Sequence, residues 1–260
     1  MRAPLQVPRL SDALPPPWTD LTLVDETAST NADLVRDAAA GRARPWSVLV
    51  TEHQSAGRGR LGRTWTSVRG ATLTFSALVP APSAPAWVPL VAGLAVADAI
   101  EEVYAVRPAL KWPNDVLGPV DGPETARKLA GILCELVPTG IVVGIGLNVD
   151  QGEDELPVPT ATSLRLLAGD HPPGLTREGL LLRVLDHLAR AVDGWGADPD
   201  RVRDAYRRSC STLGREVRVD LGVEGLRQAR ALDVDESGHL VVDLDGERRT
   251  LAAGDVTHVR

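Results

Sequence analysis

Two apolar runs lie close together in this chain, and they restrict its possible folds more than any other feature. The runs cover residues 128–137 and 140–149, and the short sequence Pro-Thr-Gly joins them. Each has the length of a strand, so together they predict a buried antiparallel pair. Gly131 interrupts the first run, and Gly144 and Gly146 interrupt the second. Glycine inside a strand indicates that another group packs closely against the backbone there.

The rest of the chain combines strand patterns with helix patterns up to about residue 213. Short apolar or alternating runs predict strands, whereas capping residues followed by an apolar stripe predict helices. The predicted strands are 21–24, 47–52, 71–78 and 108–112, and the predicted helices are 30–40, 89–103, 162–168, 176–195 and 199–212. We therefore expect a main domain at 21–212 that contains both a sheet and helices.

The two ends of the chain differ from its middle. Residues 1–20 contain five prolines and no periodicity, which predicts an extended tail. The tail is too short and too rich in proline for a helix-turn-helix, so we expect no N-terminal DNA-binding domain. Residues 213–260 contain five short strand patterns separated by turn sequences, which predicts a small C-terminal β-barrel.

Charge and cysteine content argue against several classes of protein. The net charge of −7 disfavours general affinity for nucleic acid. The two cysteines, Cys134 and Cys210, are too few for a disulfide framework or a zinc site. The sequence has no apolar run long enough to span a membrane and no signal-peptide core at its start. These features predict a cytoplasmic protein with reduced cysteines.

A stretch rich in glycine and arginine is the strongest candidate for a binding site. Residues 54–63 read Gln-Ser-Ala-Gly-Arg-Gly-Arg-Leu-Gly-Arg and follow a predicted strand directly. Glycines let backbone N–H groups approach a ligand closely. Arginine side chains present fixed cationic forks to phosphate or carboxylate oxygens. The stretch predicts an anion-binding loop that can close over a bound molecule.

Two more polar clusters accompany this loop. Ser29, Thr30 and Asn31 stand at a helix start, where they serve either as caps alone or as a ligand site. Residues 111–115, Lys-Trp-Pro-Asn-Asp, follow a short strand and bring Lys, Asn and Asp to one sheet edge. This second cluster is either a binding site for phosphate, purine and Mg²⁺ or a turn with a solvated aspartate.

The two apolar runs carry polar residues of their own. Lys128 enters a buried strand, which is costly unless its ammonium group finds an anion or reaches solvent along its stem. Asn148 ends the second run after Gly144 and Gly146, but this motif lacks the third glycine and the helix of a dinucleotide site. Together the clusters favour nucleotidyl or phosphoryl transfer with Mg²⁺, in which the protein supplies positioning and charge.

In order and spacing, these clusters resemble the motifs of the biotin protein ligases. The resemblance extends over about 21–260 and rests on residues 29–31, 57–65, 111–115, 128–133 and 144–148. The glycine and arginine loop in combination with Lys-Trp-Pro-Asn-Asp is highly specific. The resemblance implies an α+β fold, with a mixed sheet flanked by helices as in class II aminoacyl-tRNA synthetases and biotin ligases, and a small C-terminal β-barrel.

The resemblance also implies a reaction in two steps. Biotin and Mg-ATP give biotinyl-5′-adenylate and diphosphate, and a lysine of a biotin carboxyl carrier domain then attacks the adenylate and releases AMP. The carrier domain is a transient partner, and neither nucleic acid nor a membrane is expected as one. The adenylate hydrolyses readily, so the loop must exclude water until the acceptor arrives. A monomer and a weak homodimer both stay open.

Roles for individual residues follow from the resemblance, motif by motif. Lys128 is expected to hold the biotin carboxyl group, Arg60 and Lys111 to hold phosphates, and Asp115 to orient or deprotonate the incoming amine. Biotin is expected to be bound by Ser29, Thr30, Asn31, Gln54, Gly57, Arg58, Gly59, Arg60, Lys128 and Gly131. The nucleotide is expected to be bound by Arg63, Trp65, Asn114 and Asn148. The resemblance assigns no metal ligands.

Two alternative functions remain at this point. A lipoyl or octanoyl ligase or transferase shares the core fold, although the two specific motifs favour biotin. A single-strand nucleic-acid binder also uses glycine and arginine repeats, but the acidic net charge and the lack of interleaved aromatic residues argue against it. One departure is Leu61, which occupies a loop position where a third basic residue often occurs in the family.

Overall fold

The computed structural model describes residues 2–6, 10–119, 126–169, 172, 175–222, 225–252 and 256–258. A mixed sheet of seven strands forms the centre of the main part, in the order β1-β2-β3-β7-β6-β5-β4. Only β1 and β2 are parallel, and the other neighbours are antiparallel. The strands are β1 (Asp20–Thr27), β2 (Ser47–Gln54), β3 (Thr72–Val79), β4 (Ala109–Lys111), β5 (Asp115–Gly118), β6 (Arg127–Val137) and β7 (Gly140–Asn148).

The two apolar runs form the antiparallel pair that the sequence predicts. They are β6 and β7, with Val137 opposite Gly140 at the turn and Gly131 opposite Gly146 near the other end. Every residue of β7 is buried, because helices cover both faces of the sheet at this strand. The pair therefore gives the rest of the fold a rigid centre.

Helices lie on both faces of this sheet, as expected for the predicted fold class. They are α1 (Thr30–Ala39), α2 (Val88–Tyr104), α3 (Leu164–Ala168), α4 (Arg177–Ala197) and α5 (Pro199–Ser209). Helix α2 is apolar around most of its circumference because it lies between the sheet and α4. Helix α1 closes a smaller core on the opposite face, with Leu34 packed near Leu49 and Leu78. Within the described parts of the chain, none of the helices has the length and apolarity needed to cross a bilayer.

A second sheet contains the C-terminal strands β8 (Glu216–Asp220), β9 (Leu226–Val234), β10 (Leu240–Leu244), β11 (Glu247–Leu251) and β12 (Val256–His258). All pairs are antiparallel, in the order β11-β10-β9-β8-β12. The five strands are confirmed, but the closed barrel is wrong, because β11 and β12 lie at opposite edges of an open sheet. Closure depends on pairing between edge strands, which the local alternation that predicts each strand does not encode.

The N-terminal segment packs against the main domain instead of projecting as a tail. Leu5, Leu10 and Trp18 are buried in the main core. The indole N–H of Trp18 donates to the backbone oxygen of Leu185 at 2.9 Å. Proline removes backbone donors and disfavours regular structure, but it does not stop apolar side chains between the prolines from reaching a core. The domain boundaries at residues 20 and 212 stay predictions.

Candidate active site

A cavity of about 880 Å³, measured with its open mouth, lies where β3, β6 and β7 meet the start of α1. The glycine and arginine loop and the turn between β4 and β5 form its other walls. It is lined by Ser29, Thr30, Asn31, Gln54, Arg58, Gly59, Arg60, Leu61, Arg63, Thr64, Trp65, Thr74, Phe75, Lys111, Trp112, Pro113, Asn114, Asp115, Lys128, Gly131, Ile132, Leu133, Gly144, Ile145, Gly146 and Val256.

The start of α1 forms the polar end of the cavity. Ser29 caps the helix by accepting a hydrogen bond from the backbone of Ala32. The backbone N–H and the hydroxyl of Thr30 both donate to Oε1 of Gln54, at 2.8 and 3.0 Å. Ser76 Oγ lies 2.7 Å from the Thr30 hydroxyl oxygen. These bonds fix two polar side chains that the sequence places 24 residues apart.

Asn31 contributes to the wall, but its amide is already bound to the protein. Its Nδ2 atom donates to the backbone oxygen of Leu133 at 3.0 Å and to the carboxylate of Glu135 at 2.9 Å. Its Oδ1 atom accepts from Ser76 at 2.6 Å. A Cβ atom at Gly144 would lie 2.0 Å from this oxygen. Gly144 is therefore required because Asn31 packs against the strand, and Asn31 ties α1 to β6.

The glycine and arginine loop is folded back on itself. Gly59 N–H donates to the backbone oxygen of Arg63 at 2.7 Å, and Trp65 N–H donates to that of Gly57 at 2.9 Å. A side chain at Gly57 would meet the Trp65 oxygen at 2.3 Å, so only glycine fits there. Gly57 itself faces an open hollow on the outer side of the loop instead of the cavity. Leu61 adopts a left-handed conformation with φ 56° and is 70% exposed.

Trp65 packs against Gly146 of β7 and also lies near Gly131 of β6. A Cβ atom at Gly146 would lie 2.2 Å from the indole ring, and one at Gly131 would lie 3.3 Å from it. The indole Nε1 and the hydroxyl of Thr74 are buried at the cavity, and neither has a hydrogen-bond partner among the described residues. Buried polar atoms are costly without a partner. The two atoms therefore mark places where a ligand can complete the hydrogen bonding.

A group of cations surrounds one aspartate at the other end of the cavity. Lys128 Nζ lies 2.6 Å from Asp115 Oδ1 and 5.8 Å from the centre of the Trp65 ring. Burial lowers the pKa of Arg60 and of Lys111, and Asp115 opposes the shift in both. The low dielectric that disfavours these charges also strengthens their attraction for an anion.

The turn between β4 and β5 is held in place by β6. Lys111 is paired with Asp115 across the turn, and Asp115 is paired with Gly131 of β6. Asn114 donates from Nδ2 to the backbone oxygen of Ile132 at 2.8 Å and accepts from its N–H at 3.0 Å through its own backbone oxygen. Asp115 consequently points at Lys128, whereas the Asn114 amide serves the fold while lining the cavity.

Asn148 is placed outside the cavity, contrary to the expected contact with adenine. It is 3% exposed, and its Nδ2 atom donates to the backbone oxygen of Thr162 at 3.0 Å. Its Oδ1 atom accepts from Gln151 Nε2 at 2.9 Å. Both ends of the amide are thus used to fasten the segment that follows β7. The position after a glycine-rich strand did not distinguish this anchoring role from ligand binding.

Several cavity residues were missed by sequence reasoning. Thr74 and Phe75 belong to a strand whose pattern indicated only a buried sheet, so no local signal singled them out. Val256 comes from β12 of the C-terminal sheet and lines the same cavity. The sequence separation between Val256 and the other wall residues left no signal for its contribution.

Comparisons with known proteins agree with this geometry. The profile of the Biotin/lipoate A/B protein ligase family matches residues 24–151, and that of the Biotin protein ligase C terminal domain matches residues 212–259. A biotin–[acetyl-CoA-carboxylase] ligase of Mycobacterium tuberculosis is 41% identical over 252 residues, which cover 94% of this chain and 90% of the relative.

Solved structures give the same result. The biotin protein ligase from Aquifex aeolicus in complex with biotin and ATP has a TM-score of 0.77 and 29% identity, covering 93% of this chain and 99% of that one. The biotin protein ligase from Leishmania major in complex with biotinyl-5-AMP has a TM-score of 0.62 and 25% identity, covering 92% of this chain and 100% of that one. With both family profiles matched and a close relative aligned almost end to end, this chain belongs to the biotin protein ligase family.

Proposed function

We propose that this chain is an ATP-dependent ligase that activates biotin as biotinyl-5′-adenylate and transfers the biotinyl group to a lysine of a biotin carboxyl carrier domain. One observation carries the proposal: a single cavity has hydrogen-bonding groups at one end, an apolar wall, and clustered cations at the other end. Biotin has the same order of features, with a polar ureido ring, an apolar chain and a terminal carboxylate. The relatives named as biotin ligases and the complexes with biotin and ATP support it.

The polar end of the cavity suits the ureido ring. Thr30 and Gln54 are held by mutual hydrogen bonds, so they bind a rigid ligand without losing further side-chain freedom. Thr74 and Trp65 each hold a buried polar atom that lacks a protein partner in the described chain. We place the ring of biotin against Thr30 and Gln54, and we place its chain along Ile145 and Gly146 toward Lys128.

In the first step, a carboxylate oxygen of biotin attacks the α-phosphorus of ATP, a new P–O bond forms, and the bond to diphosphate breaks. Negative charge collects on the α-phosphate oxygens and on the leaving diphosphate. Lys128, Arg60 and Lys111 stand at this end of the cavity. Cations held in advance in a poorly solvated site stabilise such charge better than water does.

In the second step, the lysine amine of the carrier domain attacks the acyl carbon of the adenylate. An amide C–N bond forms, the bond to AMP breaks, and the amine loses a proton. Asp115 is the carboxylate at this point of the cavity, and its ion pair with Lys128 keeps it beside the reacting carbonyl. We assign to Asp115 the task of orienting the amine and receiving its proton.

Mg²⁺ would accompany the triphosphate, which would supply most of its oxygen ligands. The described residues contain no group of three carboxylate, histidine or cysteine side chains suited to a resident metal ion. Asp115 is the acidic side chain in the cavity lining, so a metal ion held jointly by the nucleotide and this residue fits the donor set.

The test is a substrate comparison on the purified chain. Isotope exchange between ATP and diphosphate should require biotin, and a carrier domain incubated with biotin and ATP should gain one biotinyl group by mass spectrometry. Lipoate in place of biotin tests the nearest alternative within the same family. Exchange and transfer that proceed with lipoate and not with biotin would overturn the proposal.

A further inference from the structure

The C-terminal sheet reaches the candidate active site through a short chain of hydrogen bonds. The backbone N–H of Trp112 donates to the hydroxyl of Thr212 at 3.0 Å. The same hydroxyl lies 3.1 Å from Nε2 of His258, the last described residue of β12. Thr212 is fully buried and Trp112 is 2% exposed, so water does not compete for the bond between them, whereas His258 is partly exposed.

These hydrogen bonds hold Trp112, which lies inside the Lys-Trp-Pro-Asn-Asp turn. Lys111 precedes it, Asp115 follows three residues later, and both line the cavity. The Trp112 indole N–H is held separately by the backbone oxygen of Gly238 at 3.0 Å, which also belongs to the C-terminal part. The C-terminal sheet therefore fastens the turn at its side chain and at its backbone.

The protonation state of His258 allows its imidazole ring to accept a hydrogen bond. Burial lowers the pKa of His258 to about 4, with smaller contributions from the charges of Lys111 and Arg215, against which Asp115 acts. A neutral imidazole leaves one ring nitrogen without a proton. The Thr212 hydroxyl can therefore accept from Trp112 and donate its own hydrogen to Nε2, a direction assigned from the partners present.

We propose that His258 is a positioning residue for the adenylation step: through Thr212 it fixes the backbone of Trp112 and thereby the placement of Lys111 and Asp115 against the substrates. This inference rests on the proposed function. His258 does not touch the substrates, and its effect passes through the turn. The start of α1, where the ureido ring is placed, belongs to other elements and is not reached by this chain of bonds.

The experiment is a double-mutant cycle on the whole chain. His258→Ala and Thr212→Val each remove one link, and each should lower kcat of biotin-dependent exchange by about five- to tenfold, the size expected for one buried hydrogen bond. The double variant should lose no more than the stronger single variant, because both break the same chain. The KM for biotin should change by less than about twofold in all of them.

Conservative variants separate positioning from a loss of folding. Thr212→Ser keeps the hydroxyl, and His258→Gln places an amide oxygen near the position of Nε2, so both should regain most of the activity. His187→Gln is the matched control, because His187 lies on α4 beside Glu102 and outside the chain of bonds. Amide hydrogen exchange at Trp112 should accelerate in Thr212→Val and His258→Ala, and this readout does not depend on catalysis.

Three outcomes would overturn the inference: additive losses in the double variant, an equal loss in KM and kcat, or unchanged exchange of the Trp112 amide. If His258→Ala does not fold, Thr212→Val gives the same test, because valine matches threonine in shape. Wild-type protein is assayed alongside. Absence of biotin-dependent exchange in the wild type contradicts the proposed function, whereas normal wild-type exchange with unaffected variants contradicts only the role of His258.

Discussion

At the scale of single residues, the ion pair between Lys128 and Asp115 joins the two proposed chemical steps. The 2.6 Å contact holds Lys128, to which we assign the carboxylate and the phosphate, next to Asp115, to which we assign the incoming amine. The pair is partly exposed to the cavity, with side-chain exposures of 36% and 19%. A substrate group can therefore replace either Lys128 or Asp115 in the ion pair, and the residue that loses its partner is not left buried without one.

Lys128→Ala should abolish most of the adenylation activity. Removal of one donor from a site of developing charge costs on the order of 2–4 kcal/mol of transition-state stabilisation. Biotin-dependent ATP–diphosphate exchange measures this loss directly.

Asp115→Asn keeps the shape of the turn and should slow transfer to the carrier domain more than it slows ATP–diphosphate exchange. Near-normal exchange in the lysine variant, or equal losses of both activities in the asparagine variant, would contradict these roles.

Gly146→Ala should displace the Trp65 ring, since the added methyl group would lie 2.2 Å from the indole. We expect weaker binding of ATP and a slower first step, measured by calorimetry and exchange. Gly196→Ala is the matched control, because nothing lies within 4 Å of a Cβ atom at that helical position. The control should raise the free energy of unfolding by about 0.5–1 kcal/mol and leave ATP binding unchanged. Normal ATP binding by Gly146→Ala would refute the packing role of Trp65.

At the scale of elements, the glycine and arginine loop is the part that we expect to move. In this structure it is closed by two backbone hydrogen bonds, between Gly59 and Arg63 and between Trp65 and Gly57. Its outer side is open, and its tip at Leu61 is exposed and left-handed. Few apolar contacts hold such a loop, so the free energy needed to open it locally is low and it can open for substrates.

Arg60→Gly should let the adenylate escape early. Loss of one charge-assisted contact corresponds to about a tenfold or greater increase in the release rate. Retention of radiolabelled adenylate on a filter measures it. Leu61→Gly adds the same flexibility at the neighbouring position without removing charge, and it should retain the adenylate much longer. Equal retention of the adenylate by the two variants would mean that Arg60 holds no phosphate.

In the wild type, amide hydrogen exchange across residues 57–70 should slow when biotin and ATP are added.

Local sequence patterns predicted most of the helices and strands, and the wrong predictions have physical causes. The central pair β6 and β7 followed from two apolar runs, because strand length and a turn suffice to specify a hairpin. Strand β5 was missed, since its four residues directly follow a proline turn. The C-terminal strands were found, but their open arrangement depends on pairing at long range. In the site, residues from all the motifs line one cavity, whereas Gly57 and Asn148 lie outside its lining, and the ligand roles of the motif residues stay predictions.

At the scale of the whole molecule, the N-terminal segment fastens the loop that follows β7. Arg2 donates to the carboxylate of Glu155 at 2.8 and 2.6 Å and to the backbone oxygen of Asp150 at 2.7 Å. Nearby, Glu52 and Arg177 form a buried ion pair at 3.0 Å, and Arg177 also donates to the Ala3 backbone oxygen at 2.9 Å. The first residues thus connect two distant parts of the main domain.

The bond to Arg2 makes part of the stability depend on pH. Hydrogen bonds from Arg2 and then from the Gly152 backbone lower the pKa of Glu155 to about 2, from an ordinary value of 4.5. A lowered folded-state pKa gives stability that is complete above the unfolded value and is lost as the pH falls through the folded value. Glu155→Gln should therefore destabilise the chain at about pH 7 and less at about pH 3, measured by urea unfolding. Glu247→Gln controls for the loss of a surface carboxylate. A difference that does not shrink in acid would refute the linkage.

Val256 has a consequence for the order in which a living cell makes this protein. It completes the cavity wall from β12, the last described strand to leave the ribosome, and it does so only after β12 pairs with β8. A growing chain can therefore build the central sheet well before it can shelter a reactive intermediate. We expect ribosome-stalled chains that end before β12 to show no biotin-dependent exchange, so that ATP is spent only after this strand has been made.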